Sequence, residues 1–440
     1  MRHFHFRAEI LIFLALAAAY SLQLITPLRL QFDSIILLST AETALHGGGL
    51  LFHGKPTVFP PGYPVLVALL MKLRVAYLWV LVGINILSLL IGLLALRHVL
   101  YPAFLEKRSS VVIVAIFVLL SGVIIPLFTI PLTDFCFFGV AMCCLAVMNS
   151  ATSRLTVRNI VVNAVLIAVS VSLRRVGIAL IPPFVWMLAA HQETRVFVKC
   201  LPAKMKFPGI LFLTGIVAAV VWEVYSTSTF QAGLLELRLY GADKLLRTPV
   251  WRLAELGEIA INVPSSLFSS YVHPVIGLLI ALLILKGLLS RRQHPVVVDI
   301  FFISYVAVIL AWPFYATRFW LPVLPFLIVY AAIPVRRFFQ KEICKFAVVA
   351  YATLFAIFGV VQLASLTTIS ISGSRIGDVY RTGVYDKAYC VAGFCRQKPD
   401  STEVADVDRA KRDGMESWWE QDGLRLLCEF RDNKLASGNR

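Results

Sequence analysis

Charged side chains are scarce in this sequence. Only 15% of its 440 residues are Asp, Glu, Lys or Arg, whereas 59% are hydrophobic. Soluble domains carry about a quarter charged residues and about half apolar ones, so this composition excludes an ordinary soluble protein. The chain is therefore predicted to be an all-α polytopic membrane protein.

Acidic residues are fewer than basic ones, 25 against 41, which gives a net charge of +16. The segment 371–440 carries 12 Lys and Arg against 12 Asp and Glu, so the whole excess lies in the apolar part. There it indicates loop charge that sets the orientation in the bilayer, and no nucleic-acid partner is expected.

The eight cysteines show no metal-ligand spacing. Most of them, such as Cys136, Cys143 and Cys144, lie in apolar runs and are interpreted as small core residues. Cys390 and Cys395 are close enough to form a disulfide bond if the tail is outside the cell, which leaves Cys428 over.

The first apolar run, 9–26, follows the basic start MRHFHFR without a clean cleavage site, so we expect a retained helix with a cytoplasmic N-terminus. About eleven spans are predicted. After the first, they are 77–96, 111–128, 132–149, two short helices within 160–190, and then 208–225, 274–289, 297–314, 319–334 and 346–368.

The segment from Ile160 to Ala190 has only two charges, Arg174 and Arg175. A single helix there would place the basic segments 195–206 and 336–345 outside, against the positive-inside bias. Two short helices that meet at the arginine pair are therefore predicted, with the pair at the outer face.

The first outer loop is expected to carry two short helices. Ile35, Leu38 and Ala41 share one face of an interfacial helix over 34–45. A second surface or re-entrant helix is predicted over 65–73, too short to cross the bilayer. The stretch FPPGYP, 59–64, is interpreted as a rigid non-helical segment with Gly62 as its flexible point.

Most polar candidates for chemistry fall on the outer face of this topology. They are Asp33, Glu42, His53, Lys55, Tyr63, Asp134, Arg174, Arg175, Glu236, Asp243, Arg252 and Arg318. Ionisable groups near membrane depth are costly and favour a functional interpretation. A carboxylate near several arginines suggests a base beside an anion site, with guanidinium groups holding phosphate.

Each of these candidate residues also has a structural interpretation. Asp33 and Asp134 fit helix N-caps, and capping is compatible with catalysis. Arg174 and Arg175 fit snorkelling to headgroups. Other polar groups have ordinary roles too: Glu42 fits a solvated surface position, His46 and His53 lack metal-ligand spacing, and the outer loop 226–272 fits an interfacial helix pair that covers the site.

The sequence resembles the type C integral-membrane glycosyltransferases over residues 5–370. The matching pieces are FDSIILLSTAETALHGGG, VFPPGYP, an outer TDF, an outer LRR and TRFWLPVLPFLI. Within that class it is most similar to the bacterial branch related to protein O-mannosyltransferases and lipid A aminoarabinose transferases. Residues 371–440 match no pattern and are expected to form a small extracytoplasmic tail.

The resemblance implies a bundle in which the acidic residue after the first span, Asp33, is the catalytic carboxylate. It also implies a polyprenyl-phosphate sugar donor, whose phosphate would be held by Lys55, Arg174, Arg175 and Arg318. Asp134, Glu42, Tyr63 and His53 are possible supporting residues. Because Ser34 stands where many relatives have a second acidic residue, the resemblance leaves open whether a divalent metal is required.

The expected function is transfer of a sugar to an acceptor hydroxyl on a glycan, lipid or protein at the outer face of the inner membrane. Nucleotide sugars are cytoplasmic, so an outward site needs a donor on a lipid carrier. With no second carboxylate placed as a nucleophile, inversion is predicted. The alternatives are a secondary transporter or flippase for an anionic lipid or solute, which predicts internal repeats that the sequence lacks, and a non-catalytic scaffold.

Overall fold

The computed structural model of the protein describes residues 2–22, 30–57, 59–75, 78–101, 104–105, 108–152, 155–190, 247–263, 271–312, 315–338, 342–372 and 426. The predicted span 208–225, most of the outer loop, Glu236, Asp243 and the cysteines of the tail lie outside these residues.

The described part of the chain is helical apart from one small hairpin. In chain order its helices are α1 Arg2–Ser21, α2 Phe32–Leu45, α3 Gly62–Lys72, α4 Leu78–Leu100, α5 Arg108–Leu119, α6 Thr133–Ala151, α7 Val157–Leu173, α8 Ile181–Ala190, α9 247–261, α10 Val272–Leu289, α11 Val297–Leu310, α12 Leu324–Phe338 and α13 Glu342–Ser372. Two 3₁₀ helices, Arg175–Leu180 and Thr317–Val323, lead into α8 and α12. The hairpin pairs β1 Leu51–Phe52 with β2 Lys55–Pro56.

Five of the described helices are long and apolar enough to cross a membrane by length and composition. They comprise most of α4, α6, α10 and α13, and α12 with the 3₁₀ helix before it. Leucine, isoleucine and valine side chains remain exposed along α4, α10 and α13, as expected for surfaces that face lipid. The chain is thus a multi-pass membrane protein, and the number of eleven spans stays a prediction.

The break predicted between Ile160 and Ala190 is present. Helix α7 ends at Leu173, and Arg174 has an extended backbone with φ −148° and ψ 134°. The 3₁₀ helix then starts at Arg175 and continues into α8. Two short helical arms therefore meet at the arginine pair.

Helix α2 is present as predicted and is covered by protein along most of its length. Every residue from Ser34 to Glu42 is buried, including the consecutive Ile35 and Ile36. Helix α3 packs along α2 and exposes Val65 and Leu69 on its other side. The expectation of two short helices in this loop is confirmed, and α2 contributes its buried side chains to the protein core.

The segment predicted to span 111–128 is shorter as a helix. Helix α5 ends at Leu119, and residues 121–130 form buried turns. Asn85 of α4 holds these turns, because its side-chain amide donates to the carbonyl oxygens of Phe128 and Ile130 at 2.8 and 2.7 Å. Buried backbone acceptors outside a helix need such partners.

Helices α4 and α6 pack closely in the centre of the core. A Cβ at Gly139 would lie 2.6 Å from the carbonyl oxygen of Ser88, so the glycine permits this approach. The N-terminus of α6, which carries Asp134, is thereby fixed against its neighbours.

Candidate active site

Asp33 forms an ion pair with Arg318, which lies 285 residues later. Asp33 is in the first turn of α2, and Arg318 is in the second 3₁₀ helix. Their side chains are 21% and 19% exposed, so solvent or a ligand reaches both. The structure thus joins the predicted base to one of the predicted phosphate-binding arginines.

Asp33 is not the N-cap of α2, which corrects one of the interpretations above. The N-cap is Gln31, whose N–H donates to Ser34 Oγ at 2.6 Å, while the Ser34 hydroxyl donates back to the Gln31 carbonyl at 2.7 Å. A carboxylate in the first turn still interacts favourably with the helix dipole. Its oxygens nonetheless remain available for Arg318 and for chemistry.

Asp134 and Arg174 form a second ion pair beside the first. Asp134 lies in the first turn of α6, after the N-cap Leu132, so this aspartate is not an N-cap either. It is 2% exposed and Arg174 is 14% exposed. Arg318 is also within electrostatic range of Asp134, which places the two ion pairs in one cluster.

The ring of Phe319 links the arginines of this cluster. The guanidinium carbons of Arg174 and Arg318 lie 5.5 and 5.8 Å from its centroid, and that of Arg252 lies 5.8 Å away. Cation–π contacts of this kind hold guanidinium groups at fixed positions. The Phe319 carbonyl accepts a hydrogen bond from the buried Tyr305 hydroxyl at 2.8 Å, which supports the ring from α11.

Both arginines keep spare hydrogen-bond donors. A guanidinium has five N–H groups. Within the described part of the chain, Arg318 donates only to Asp33 and Arg174 only to Asp134 through its side chain. The remaining N–H groups are free for an anionic ligand, and each carboxylate retains a second oxygen.

Glu255 of α9 lies behind this cluster and is fully buried. Its carboxylate accepts from Arg252 Nη1 at 2.5 Å, from the Ala316 N–H at 2.6 Å and from Trp320 Nε1 at 2.7 Å. Ala316 and Trp320 flank Arg318 on either side.

Sequence reasoning missed Glu255 and Phe319. Glu255 lies in the charged and leucine-rich stretch interpreted as a covering helix, and no spacing connects it with residues 316–320. Phe319 lies directly beside Arg318 in TRFW, and an aromatic residue beside a membrane-depth arginine is a signal that could have found it.

The FPPGYP segment has a different role from the one predicted. Pro61 is the N-cap of α3, so Gly62, Tyr63 and Pro64 are already helical. A Cβ at Gly62 would lie 2.7 Å from the carbonyl oxygen of Ser172, two residues before Arg174. Gly62 thus permits close contact between α3 and the end of α7 and does not act as a flexible point. We call the helix break at Arg174 and Arg175 the arginine vertex.

Tyr63 is fully buried and lies within electrostatic range of Cys136, two residues after Asp134. Glu42 is only 7% exposed, so the prediction of a solvated Glu42 is wrong.

The remaining predicted residues are not part of the two ion pairs. Arg175 is half-buried at the start of its 3₁₀ helix. Lys55 is exposed on β2, and His53 occupies the hairpin turn with φ 50° and its ring edge-on to Phe52.

The described residues of the site can be compared with the ligand sets that proteins use for metal ions. In the described ranges no group of three or more His, Cys, Asp or Glu residues could hold a metal ion. The carboxylates of Asp33 and Asp134 each face a guanidinium, which opposes a cation at the same oxygen atoms. The described residues alone therefore do not supply a complete ligand set for a divalent ion.

Two solved structures are similar in overall backbone. ArnT from Cupriavidus metallidurans bound to undecaprenyl phosphate is 14% identical, with a TM-score of 0.45, and the match covers 97% of this chain and 76% of that one. The oligosaccharyltransferase AglB from Archaeoglobus fulgidus, in complex with an inhibitory peptide and a dolichol-phosphate, is 12% identical with a TM-score of 0.46. That match covers 97% of this chain and 63% of AglB.

A further Archaeoglobus fulgidus oligosaccharyltransferase structure, in complex with Zn and sulfate, gives a TM-score of 0.47 at 13% identity, covering 96% of this chain and 61% of that one. No family model and no curated protein matches the sequence. The chain spans less than two thirds of the oligosaccharyltransferases. At these identities and TM-scores, function has to be argued from the chain's own site.

Proposed function

We propose that the protein is a membrane glycosyltransferase that moves a sugar from a polyprenyl-phosphate donor to an acceptor hydroxyl at the outer face of the membrane. The observation that carries this proposal is the Asp33–Arg318 ion pair. It combines a partly exposed carboxylate with a guanidinium that has spare donors, next to the second pair formed by Asp134 and Arg174.

In this reaction Asp33 takes the proton of the acceptor hydroxyl as its oxygen attacks the anomeric carbon. The bond from that carbon to the phosphate oxygen breaks, and negative charge grows on the phosphate. The spare N–H groups of Arg318 and Arg174 are suited to stabilise this charge. A single displacement of this kind inverts the anomeric centre.

The ion pair with Arg318 also holds Asp33 in place before the donor binds. Arg318 orients the Asp33 carboxylate through their ion pair, and a phosphate that binds the same guanidinium weakens its hold on the carboxylate. Asp33 is then free to accept a proton where the leaving group is already neutralised. One arginine thus serves both halves of the displacement.

The lipid carrier follows from the orientation. With the N-terminus cytoplasmic, the vertex at Arg174 faces outward, where nucleotide sugars are absent. The proposal includes an inner-membrane location, residues 1–370 as the catalytic domain and 371–440 as an extracytoplasmic tail. The acceptor is a glycan, lipid or protein of the envelope.

The test is made in a strain that lacks the protein. Its lipid extract should accumulate a polyprenyl-phosphate sugar, or its envelope glycan should lack one residue. The parent gene should reverse the change, and the Asp33→Asn gene should not. Reporters fused after Ser370 and within 195–206 should read as outside and inside, respectively.

Two results would contradict the proposal. If the Asp33→Asn gene complemented the deletion, Asp33 would not be the general base. Reversed reporter signals would place the site on the cytoplasmic face of the membrane. If the protein were a transporter or flippase, vesicles from the deletion strain would lose the movement of a lipid or solute. The purified protein would then have no transferase activity.

A further inference from the structure

The arginine segment 316–320 is held from one side by a single carboxylate. Glu255 accepts from the backbone N–H of Ala316 and from the indole of Trp320, at 2.6 and 2.7 Å. Arg318 lies midway between these two anchors. A shift of Glu255 therefore moves both ends of the segment that carries Arg318.

The partner of this carboxylate is Arg252, which is 2% exposed while Glu255 is fully buried. Arg252 also donates to the Trp312 carbonyl at 2.9 Å, before the same segment. A buried ion pair contributes little net stability, because desolvation of both charges offsets their attraction. Its geometry, in contrast, is sharply defined, since each charge must keep its partners.

We propose that Glu255 is a positioning residue that sets the place of Arg318, and through it the contact of Arg318 with Asp33 and with the donor phosphate. The inference deepens the proposed function and rests on it. Glu255 itself touches neither substrate. Its charge matters because the three hydrogen bonds that it accepts are stronger to a carboxylate than to an amide.

The experiment measures binding of undecaprenyl phosphate to the purified full-length protein in lipid nanodiscs. Glu255→Gln keeps the shape of the side chain and removes its charge. We expect it to raise the Kd at least about tenfold, because a small displacement of a binding group has a large effect. Arg318→Gln should raise the Kd by at least as much.

The double variant separates positioning from general structure. If Glu255 acts through Arg318, then Glu255→Gln combined with Arg318→Gln should bind no more weakly than Arg318→Gln alone. If Glu255 had only a structural role, the fold increases in Kd of the two single variants would multiply in the double variant. That result would overturn the inference.

Glu258→Gln is the matched control. Glu258 lies on the same helix and accepts from the hydroxyl of Tyr315 at 2.9 Å, but it does not hold residues 316–320. Burial, together with this neighbour, raises the pKa of Tyr315, so its hydroxyl keeps its proton near neutral pH. The control should bind with the parent Kd, and a loss equal to that of Glu255→Gln would contradict the inference.

A second variant covers the case in which Glu255→Gln does not fold. Trp320→Phe removes the indole N–H and keeps an aromatic ring, and its effect should likewise vanish in the Arg318→Gln background. If Glu255→Gln or Trp320→Phe bound undecaprenyl phosphate with the parent Kd, the positioning role of Glu255 would be overturned and the proposed function would stand. No binding by the parent protein overturns the proposed function.

Discussion

Replacing Asp33 with Asn separates its chemical role from its structural one. Asn has nearly the same shape and cannot take the proton of an acceptor hydroxyl. The capping hydrogen bonds between Gln31 and Ser34 are untouched, so α2 should begin at the same residue. The change is confined to the carboxylate and its contact with Arg318.

The expected loss of stability is small. The pair is about one-fifth exposed on each side, so its contribution lies between an exposed pair and a buried one, at about 1–2 kcal/mol. Asn still accepts from Arg318 through its amide oxygen, which keeps part of that contribution. Loss of the first-turn charge adds about 0.5 kcal/mol.

The expected loss of rate is much larger. A general base contributes about 10²- to 10⁴-fold, which corresponds to about 2.7–5.4 kcal/mol of activation free energy. A stability loss of about 2 kcal/mol leaves a typical protein almost entirely folded. Unfolding therefore cannot imitate the loss of the base.

The assay uses purified protein, a polyprenyl-phosphate sugar and the native acceptor at saturating concentrations. Asp33→Asn should show nearly parental thermal unfolding and donor binding, with kcat reduced at least about a hundredfold. A kcat near the parent value would refute the reasoning and direct attention to Asp134. A normal kcat with weak donor binding would instead show that Asp33 only positions substrate.

Three further predictions concern Arg318, Gly62 and Asn262. Arg318→Gln should weaken donor use about tenfold or more, and Arg318→Lys should rescue it poorly because one ammonium cannot contact a carboxylate and a phosphate in the same geometry; full rescue in the transfer assay would contradict this. Gly62→Ala should lower the free energy of unfolding by about 1–3 kcal/mol, because its methyl group meets the Ser172 carbonyl; an unchanged melting temperature would refute the close contact. Asn262→Ala should cost about 2–4 kcal/mol, since the Asn262 side chain bonds the Gly122 N–H and the carbonyls of Leu120 and Phe355; parental thermal stability would contradict it.

Much of the helical layout follows from composition and charge. The break at Arg174 was predictable from loop charge, because one continuous helix from Ile160 to Ala190 would place the basic segments 195–206 and 336–345 outside. The short helix α3 was predictable from length alone. The hairpin turn at His53 and Gly54 was not predicted, although a glycine suits the positive φ that a two-residue hairpin turn requires.

The pairing of charges could not be predicted. Nothing in a sequence says that Asp33 meets Arg318 and not Arg174, because that choice depends on where α6 and the second 3₁₀ helix lie relative to α2. The burial of α2 did have a signal, since Ile35, Ile36, Leu37 and Leu38 cover all sides of a helix. Long-range partners such as Glu255 require the folded chain.

The two short arms on either side of Arg174 have a consequence for the depth of the site in the bilayer. Helix α7 has 17 residues, about 26 Å of rise, slightly less than the hydrocarbon thickness of about 30 Å. In the proposed orientation, a break between two such arms would lie just beneath the outer headgroups. The phosphate of the proposed lipid carrier would lie at nearly that level, so it would reach the guanidinium groups by lateral diffusion, with its isoprenoid chain still among the acyl chains. The thickness of the surrounding membrane would then be part of the binding geometry: a thicker bilayer would submerge the arginines, and a thinner one would lift them away from the carrier.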